Sequence, residues 1–256
     1  SSKLKLVGVT GTNGKTSVVT LLHQLFTALG YKAGMLSTVV NKIGKEELKS
    51  THTTPDAISI NHLMHDMVEA GCDYCFMEVS SHAIDQHRVT GLNFKVAVFT
   101  NITHDHLDYH ETFNNYIKAK KGLFDQLDSQ AFALINKDDN HGDIMVQNTA
   151  AKVFGFSVRS LAEYKAKIIE NQFTGLQLNI NGNDVWTKLV GKFNAYNLLA
   201  VYGVADLLGQ EKINVLTEIS NLNTVEGRFQ YVRTSDDVAG IVDYAHTPDA
   251  LENVLR

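Results

Sequence analysis

Apolar and polar positions follow two different periods along the first 150 residues. Short apolar runs have the length and composition of buried strands, and the longer segments between them place apolar residues at helical spacing. The predicted strands are residues 3–9, 33–38, 74–79, 95–100 and 131–136. The predicted helices lie at about 15–29, 56–70, 112–127 and 141–150. Strands that alternate with helices predict an α/β fold, with a P-loop-type parallel sheet flanked by helices on both faces.

The pattern changes after residue 160. Residues 165–190 show period-two alternation with an Asn181-Gly182 turn, which predicts a small antiparallel β region. A helix at about 193–208 and a second, shorter helical stretch follow. Strands are then predicted at 229–234 and 239–243, before the chain stops where a helical pattern has begun. We therefore expect a large domain over 1–226 and the truncated start of a second, Rossmann-like domain over 227–256, the whole being a fragment.

Composition and charge narrow the class of protein. The 256 residues carry 23 basic and 28 acidic side chains without a basic stripe, so nothing favours nucleic-acid binding. Because no apolar run approaches the roughly 20 residues that span a bilayer, we expect a cytoplasmic protein without membrane insertion. Cys72 and Cys75 form a C-x-x-C pair that suits a redox site, half a zinc site or two buried thiols. The absence of further cysteines favours buried thiols.

The stretch "GVTGTNGKTS" (8–17) follows the first predicted strand and opens the first helix. Gly11 and Gly14 allow backbone N–H groups to turn toward an anion at the helix N-terminus. Lys15 supplies a charge for outer phosphates, and Thr16 supplies a hydroxyl suited to Mg²⁺. The strict phosphate-loop pattern is missed because Val9 occupies the position of its first glycine.

Polar residues follow the other predicted strands as well. Glu78 ends an apolar strand, where a carboxylate is costly to bury unless it is paired or bound to a metal. Ligands bind at the carboxyl ends of parallel strands, so we expect these residues to gather at one edge of the sheet. The loop at 100–110 holds three histidines and two aspartates, which indicate either metal ligation or a solvated loop: His104, Asp105, His106, Asp108 and His110.

The sequence at this point resembles the Mur ligases, the ATP-dependent amide-bond ligases of peptidoglycan precursor synthesis. The supporting stretches, beyond the phosphate loop, are "HTTPD", "MEVSSHAIDQHRV", "FTNITHDHLDYH", "YIKAKKGLF", "FNAYNLLA", "EGRF" and "VDYAHTPDAL". The resemblance is strongest to the member that adds the third amino acid to UDP-MurNAc-L-Ala-D-Glu through an acyl phosphate. It implies meso-diaminopimelate as the favoured amino acid, with L-lysine still open. It also implies a monomer that lacks its N-terminal UDP-binding domain here.

The resemblance implies roles for individual residues. Lys15, His106 and Lys120 would be catalytic, with Lys120 carbamylated. Two Mg²⁺ ions would be held by Thr16, Glu78, His106 and the Lys120 carbamate. The UDP-MurNAc-dipeptide would be bound by Thr53, Thr54, Ser80, Gln86 and Arg88. ATP would be bound by Gly11, Thr12, Asn13, Gly14, Lys15, Thr16, Ser17, Asn194, Asn197, Arg228 and Asp243.

Two alternative functions remain open, and two residues depart from the Mur ligase pattern. A folylpolyglutamate synthase-like ligase would share the chemistry, although its loop reads G-K-G-S. A P-loop nucleotide switch without ligase activity would use an N-K-x-D motif, which "NKDD" (136–139) satisfies. Gln230 stands where the family pattern has a glutamate, and the resemblance assigns no role to His104.

Overall fold

A computed structural model describes residues 3–233, 239–246 and 248–255. The largest element is an eleven-stranded sheet in the order β11-β10-β9-β8-β7-β6-β1-β5-β2-β3-β4. Its strands are β1 (Lys5–Thr10), β2 (Ala33–Leu36), β3 (Val40–Ile43), β4 (Glu46–Lys49), β5 (Tyr74–Glu78), β6 (Phe94–Phe99), β7 (Phe132–Asn136), β8 (Lys152–Ser157), β9 (Tyr164–Gln172), β10 (Gly175–Ile180) and β11 (Asn183–Thr187). A separate antiparallel pair consists of β12 (Gln230–Arg233) and β13 (Ala239–Val242).

The described residues form nine helices, of which seven pack on the two faces of the large sheet. The nine helices are α1 (Lys15–Ala28), α2 (Ala57–Glu69), α3 (Ser81–Asp85), α4 (Leu107–His110), α5 (Phe113–Asp125), α6 (Gly142–Met145), α7 (Lys192–Leu207), α8 (Lys212–Asn221) and α9 (Pro248–Leu255). One core packs α1, α7 and α8 against the sheet, and the other packs α2, α3, α5 and α6 against the opposite face. The two buried layers explain why the central strands are apolar on both sides.

The central strand β1 lies between β5 and β6, and all three run parallel. Val9 pairs with Glu78 and Thr10 pairs with Phe99, so the carboxyl ends of the three strands finish at one level. The segments that follow them therefore meet at one edge of the sheet. The α/β fold with a mainly parallel sheet and a small antiparallel region is confirmed.

Most predicted elements lie where the sequence places them, with one helix wrong in length. The helix predicted at 141–150 covers only Gly142–Met145, and the chain then turns into β8, a strand that the sequence analysis missed. The hairpin of β3 and β4 was also missed, because its eight residues carry little apolar signal. Residue 234, the last of the strand predicted at 229–234, lies outside the described residues.

The antiparallel region continues the large sheet, because β9 pairs in parallel with β8 before β10 and β11 reverse direction. The predicted Asn181-Gly182 turn joins β10 to β11, with φ angles of 45° and 87°. Positive φ at both positions is typical of a type I′ hairpin turn, whose twist matches that of the flanking strands.

The two edge strands of the sheet are only four and five residues long. Strand β4 reads Glu-Glu-Leu-Lys, and the Glu47 carboxylate pairs with Lys42 on the neighbouring strand at 2.6 Å. Strand β11 at the other edge begins with Asn183 and Asp184. None of the described helices has the length and apolar character needed to cross a membrane.

We expect Leu198→Ala in α7 to lower the free energy of unfolding by about 2–5 kcal/mol. The Leu198 side chain is fully buried in the core below α1 and α7, so its truncation removes apolar contacts and leaves a cavity. Urea denaturation measures the loss. The control Ile213→Ala, at a residue 69% exposed on α8, should change stability by no more than about 0.5 kcal/mol. Equal losses in the two variants would contradict the proposed importance of this core.

Candidate functional site

The loop between β1 and α1 is fastened to the segment that follows β6. The Thr12 backbone N–H donates to the Asn101 carbonyl oxygen at 2.9 Å, and the Asn13 N–H donates to the Asn101 side-chain oxygen at 2.9 Å. The Thr100 hydroxyl donates to the Asn13 carbonyl oxygen at 2.6 Å. Gly14, with φ of 89°, is the N-cap residue of α1. The loop therefore has a fixed conformation at a helix N-terminus, the arrangement that binds phosphate in other proteins.

Two lysine side chains converge on this loop. Lys15 Nζ donates to the carbonyl oxygens of Gly11 and Thr12, both at 2.8 Å. Lys120 Nζ, from α5, donates to the same Gly11 oxygen at 2.9 Å. The Lys120 side chain is 1% exposed, so the structure places a second, fully enclosed amine beside the phosphate loop.

Burial lowers the pKa of both lysines. For Lys120 the pKa falls well below its ordinary value, first because burial penalises the charged form and then because the Lys15 charge is near. The carboxylate of Asp105 opposes the shift at both amines. The neighbouring Lys118 is exposed, and Lys121 pairs with Asp125 on its own helix. Of the three lysines in the stretch, Lys120 alone faces the loop.

Tyr116 connects the Lys120 helix to the phosphate loop. Its hydroxyl lies 3.1 Å from the Thr12 hydroxyl, and its ring lies 4.6 Å from Lys120 Nζ. The Thr12 hydroxyl oxygen also accepts the Thr103 backbone N–H at 3.0 Å. One hydroxyl group therefore joins three segments of the site.

Glu78 lies at the carboxyl end of β5 and is 1% exposed. Its carboxylate accepts the Thr38 backbone N–H at 2.7 Å and the Thr38 hydroxyl at 3.1 Å. The negative charge of Glu78 acts on Lys15, where it raises the pKa against the effect of burial. A buried carboxylate beside the phosphate loop matches the expectation from the sequence.

His106, with φ of 54°, is the N-cap residue of α4 and lies close to two other aromatic side chains. Its ring centroid lies 5.0 Å from that of His82 and 6.0 Å from that of Tyr116. Burial lowers the pKa of His106, and the charges of Lys15 and Lys120 act in the same direction, while Asp105 opposes them. His110 lies deeper, where its Nε2 contacts the Ser81 hydroxyl at 2.9 Å.

The residues expected to bind the acceptor substrate form a continuous polar rim. The Thr54 hydroxyl donates to the Glu78 carbonyl oxygen at 2.8 Å and accepts the Ser80 N–H at 3.0 Å. Arg88 Nη1 donates to the Thr54 carbonyl oxygen at 2.9 Å, and its Nε donates to the Gln86 side chain at 2.9 Å. Thr53 joins the rim through its hydroxyl oxygen, which lies 3.1 Å from the Thr38 hydroxyl oxygen.

The asparagines of α7 lie behind the phosphate loop. Asn197 donates to the Asn194 side-chain oxygen at 2.9 Å, and Asn194 donates to the Val190 carbonyl oxygen at 2.7 Å. A Cβ built on Gly14 would lie 2.8 Å from the Asn197 side-chain oxygen, so the α7 amide touches the loop. Their amide groups are thus engaged largely with each other and with the backbone.

Residues near the end of the chain also reach the site. Arg228 Nη2 donates to the Thr16 hydroxyl at 3.1 Å, and its guanidinium lies 4.6 Å from the centre of the Tyr244 ring. The Asp243 carboxylate accepts the backbone N–H groups of Phe229 and Ala245, at 2.6 and 2.7 Å. Arg228 is therefore in contact with the phosphate-loop helix, whereas Asp243 holds the segment that carries it.

Two residues of the "NKDD" stretch form hydrogen bonds to neighbouring loops of the protein. Asp139 accepts the backbone N–H groups of Ile102 and His141, both at 2.8 Å. Asn136 donates to the Thr100 carbonyl oxygen at 2.8 Å. Since these groups brace the loops at the edge of the sheet, the geometry disfavours their use as a guanine-binding motif.

Three comparisons place this geometry among known proteins. Residues 9–205 match the Mur ligase middle domain. The chain belongs to the Mur ligase family.

Similar proteins agree in sequence and in fold. The chain is 58% identical, over its whole length, to UDP-N-acetylmuramoyl-L-alanyl-D-glutamate–2,6-diaminopimelate ligase of Cytophaga hutchinsonii, and covers 53% of that protein. The protein of the same description from Parabacteroides distasonis is 56% identical over the same extent. A solved structure of such a ligase superimposes with a TM-score of 0.85 at 32% identity, over 98% of this chain and 53% of the other. The chain thus spans about half the length of the curated relatives it matches.

The structure also shows the surroundings of the cysteine pair, His104 and Gln230, which the sequence analysis singled out. Cys72 and Cys75 are buried free thiols, and burial raises the pKa of both. His104 is exposed and stacks on Phe113, with ring centroids 4.5 Å apart. Gln230 accepts the Gly227 backbone N–H at 3.2 Å. Over the described part of the chain, no three His, Cys, Asp or Glu side chains gather closely enough to bind a metal by themselves.

Sequence reasoning missed three residues that order the Mur ligase site: Thr38, Asn101 and Tyr116. Tyr116 lies one helical turn before Lys120, and this i, i+4 spacing could have indicated a shared face. Asn101 follows a buried strand directly, at the position where loops of the edge begin. Thr38 carries no such signal, because its role depends on the parallel pairing of β2 with β5.

We expect Gly14→Ala to lower the free energy of unfolding clearly more than Gly30→Ala. Both glycines have a left-handed φ, 89° and 91°, so an L side chain costs each about 1 kcal/mol. At Gly14 the added methyl group would also displace the buried Asn197 amide, whereas no atom lies within 4 Å at Gly30. Urea denaturation of both variants separates the two costs. Equal losses would show that Asn197 does not constrain the loop.

Proposed function

We propose that this chain is the ATP-binding part of a Mur ligase that adds the third amino acid to UDP-MurNAc-L-Ala-D-Glu. The observation that carries the proposal is the convergence of Lys15, Lys120 and Glu78 on one phosphate loop, with the Thr54–Arg88 rim beside it. The named relatives favour 2,6-diaminopimelate as the added amino acid.

ATP occupies the phosphate loop in this proposal. The loop of residues 11–17 surrounds its phosphates, which face the Lys15 ammonium and the N–H groups at the N-terminus of α1. The N–H groups of Thr12 and Asn13 stay bonded to Asn101 and hold the loop in place. Asn194 and Asn197 lie on the side of α7 that meets the nucleoside, while Arg228 and the segment held by Asp243 close over it. Lys15 must leave the Gly11 and Thr12 carbonyl oxygens when it contacts phosphate.

The donor set fits magnesium only in part. Glu78 and Thr16 offer carboxylate and hydroxyl oxygens, which are ligands that Mg²⁺ prefers. Water and phosphate oxygens would supply the remaining ligands. His106 would complete the protein ligands of a second ion. Bound Mg²⁺ supplies charge neutralisation between the phosphates and an incoming carboxylate. The Lys120 amine does not fit this group in its free form, because an ammonium repels divalent cations.

Lys120 fits the site once it carries CO₂ as a carbamate. The lowered pKa of Lys120 leaves its amine neutral and nucleophilic in a larger fraction of molecules than for a surface lysine. A carbamate would replace a cation beside Lys15 with an anion, which removes the repulsion between two buried charges of the same sign.

The acceptor substrate lies along the rim of Thr53, Thr54, Ser80, Gln86 and Arg88. Arg88 is half-buried and oriented by Thr54 and Gln86, so its guanidinium is prepared for a carboxylate or phosphate of the UDP-MurNAc-dipeptide. Ser80 and Thr54 connect this rim to Glu78. The D-glutamyl carboxylate would thus lie between the rim and the nucleotide.

The proposed reaction has two steps. The D-glutamyl carboxylate oxygen takes the γ-phosphoryl group of ATP, which yields an acyl phosphate and ADP. The amine of the third amino acid then attacks the acyl carbon, and phosphate leaves through a tetrahedral intermediate. Positioning and charge neutralisation by Lys15 account for the contribution of this chain to the first step.

The same proposal assigns the protein to peptidoglycan synthesis in the cytoplasm, and hence to cell-wall growth, cell shape and division. The full-length protein would act as a monomer. Residues 1–226 would be its central domain, residues 227–256 would open its C-terminal domain, and a further domain would bind the uridine nucleotide. This chain alone is then a nucleotide-binding unit without turnover.

We expect the full-length protein to form ADP over many turnovers only when ATP, UDP-MurNAc-L-Ala-D-Glu and diaminopimelate are all present. Lys120→Ala should lower kcat by about a hundredfold or more, because it removes a charged group from the reacting phosphate. Small carboxylic acids should restore part of the activity by replacing the carbamate. Lys118→Ala is the matched control, since Lys118 is exposed on the same helix. Unchanged turnover in Lys120→Ala would refute the role of Lys120.

We expect Arg88→Ala to weaken UDP-MurNAc-dipeptide binding by about 10–100-fold and ATP binding by less than about twofold. A hydrogen bond to a charged group contributes on the order of 1.5–3 kcal/mol, and Arg88 is held by Thr54 and Gln86 of the rim. Calorimetric titration of each ligand measures both effects. Lys95→Ala, which removes an exposed cation at the amino end of β6, should change neither. Equal losses for the two ligands would argue against this assignment.

A further inference from the structure

Thr10 carries a polar group that the proposed function has not used. Its side chain is fully buried at the carboxyl end of β1, one residue before Gly11. Within the described structure its hydroxyl has no hydrogen-bond partner. A buried hydroxyl without a partner costs about 1–3 kcal/mol, so its retention calls for an explanation.

The position of Thr10 on its strand places the hydroxyl on the Lys120 side of the sheet. Side chains alternate along a strand, so Thr10 shares a face with Leu6 and Gly8. A Cβ built on Gly8 would meet Phe94 and Val79, which belong to the core under α3 and α5. Lys120 projects from α5 and reaches the carbonyl oxygen of Gly11, the next residue after Thr10.

In its unmodified form Lys120 donates to the Gly11 carbonyl oxygen and makes no hydrogen bond with the Thr10 hydroxyl. A lysine amine in its charged form offers donors alone, whereas a carbamate offers two anionic oxygens as acceptors. A hydroxyl that lies in a low-dielectric interior stabilises such an anion more strongly than it would in water. The main-chain oxygen of Thr10 accepts the Thr100 backbone N–H at 3.1 Å, and the Thr10 hydroxyl proton has no acceptor among the described residues.

We propose that the Thr10 hydroxyl is a positioning group that donates a hydrogen bond to the carbamate formed on Lys120. The inference rests on the proposed function, since it needs the carbamate. Carbamate forms when the lone pair of the neutral Lys120 amine bonds to the carbon of CO₂. One C–O π pair then moves to oxygen as an oxyanion, and the nitrogen releases one proton to water. Thr10 acts on the product of this step and thereby favours it.

The test measures carbamate itself and does not depend on turnover. The full-length protein is titrated with ¹³C-labelled bicarbonate at fixed pH, and the carbamate ¹³C signal is assigned by its loss in Lys120→Arg. We expect Thr10→Val to raise the bicarbonate concentration for half-occupancy about tenfold, a factor that corresponds to roughly 1.4 kcal/mol. Thr10→Ser, which keeps the hydroxyl, should stay within about twofold of the wild type.

Controls separate a positioning role from a structural one. Thr187→Val makes the same change at another fully buried threonine, on the distant strand β11, and should leave the bicarbonate dependence unchanged. Without bicarbonate, Thr10→Val should be at least as stable as the wild type, because a methyl group replaces a hydroxyl without a partner. If Thr10→Val does not fold, the same bicarbonate titration is performed on Thr10→Ala, with the same expected result.

Two results would overturn the inference, and they differ in what they imply. Equal bicarbonate dependence in Thr10→Val and the wild type would show that the hydroxyl serves only a buried water molecule. Absence of any Lys120 signal in the wild type would remove the carbamate as well as the role of Thr10. ADP formation that requires ATP, the UDP-MurNAc-dipeptide and diaminopimelate would still establish the ligase function in either case.

Discussion

The site depends on one carbonyl oxygen, that of Gly11, which accepts hydrogen bonds from two lysine side chains at 2.8 and 2.9 Å. Two ammonium groups at such a distance repel each other, and burial adds a cost for each charge. The protein meets this constraint by lowering the pKa of both amines and by placing Glu78 and Asp105 nearby.

Strand order explains how residues far apart in sequence reach that oxygen. Because β1 lies between β5 and β6, the segments after all three strands begin side by side. Glu78 comes from one neighbour, and the loop that carries Asp105 and His106 comes from the other. Helix α5 then returns along the sheet and brings Lys120 back to the edge. The sheet topology thus determines the chemistry available there.

Much of the fold followed from local signals, since each central strand is an apolar run bounded by turn residues. Strand β8 was missed because only its last three residues are buried, and the β3–β4 hairpin was missed because it carries little apolar signal. The phosphate loop was predictable from Gly11, Gly14 and Lys15, whose spacing has a direct physical meaning. The choice of Lys120 over Lys118 and Lys121 required the family resemblance, and its burial required the structure. Thr38 and Thr10 could not be singled out, because hydroxyl partners are set by tertiary contacts.

An open sheet of eleven strands has two free edges, and an unpaired edge invites pairing with another molecule. Strand β4 has only four residues, and three of them are charged. The Glu47 carboxylate also pairs with Lys42 across the hairpin. Strand β11 presents an amide and a carboxylate at its first two positions. Short, charged borders of this kind disfavour edge-to-edge aggregation. The hairpin that periodicity failed to detect therefore protects the solubility of a sheet whose centre is almost wholly apolar.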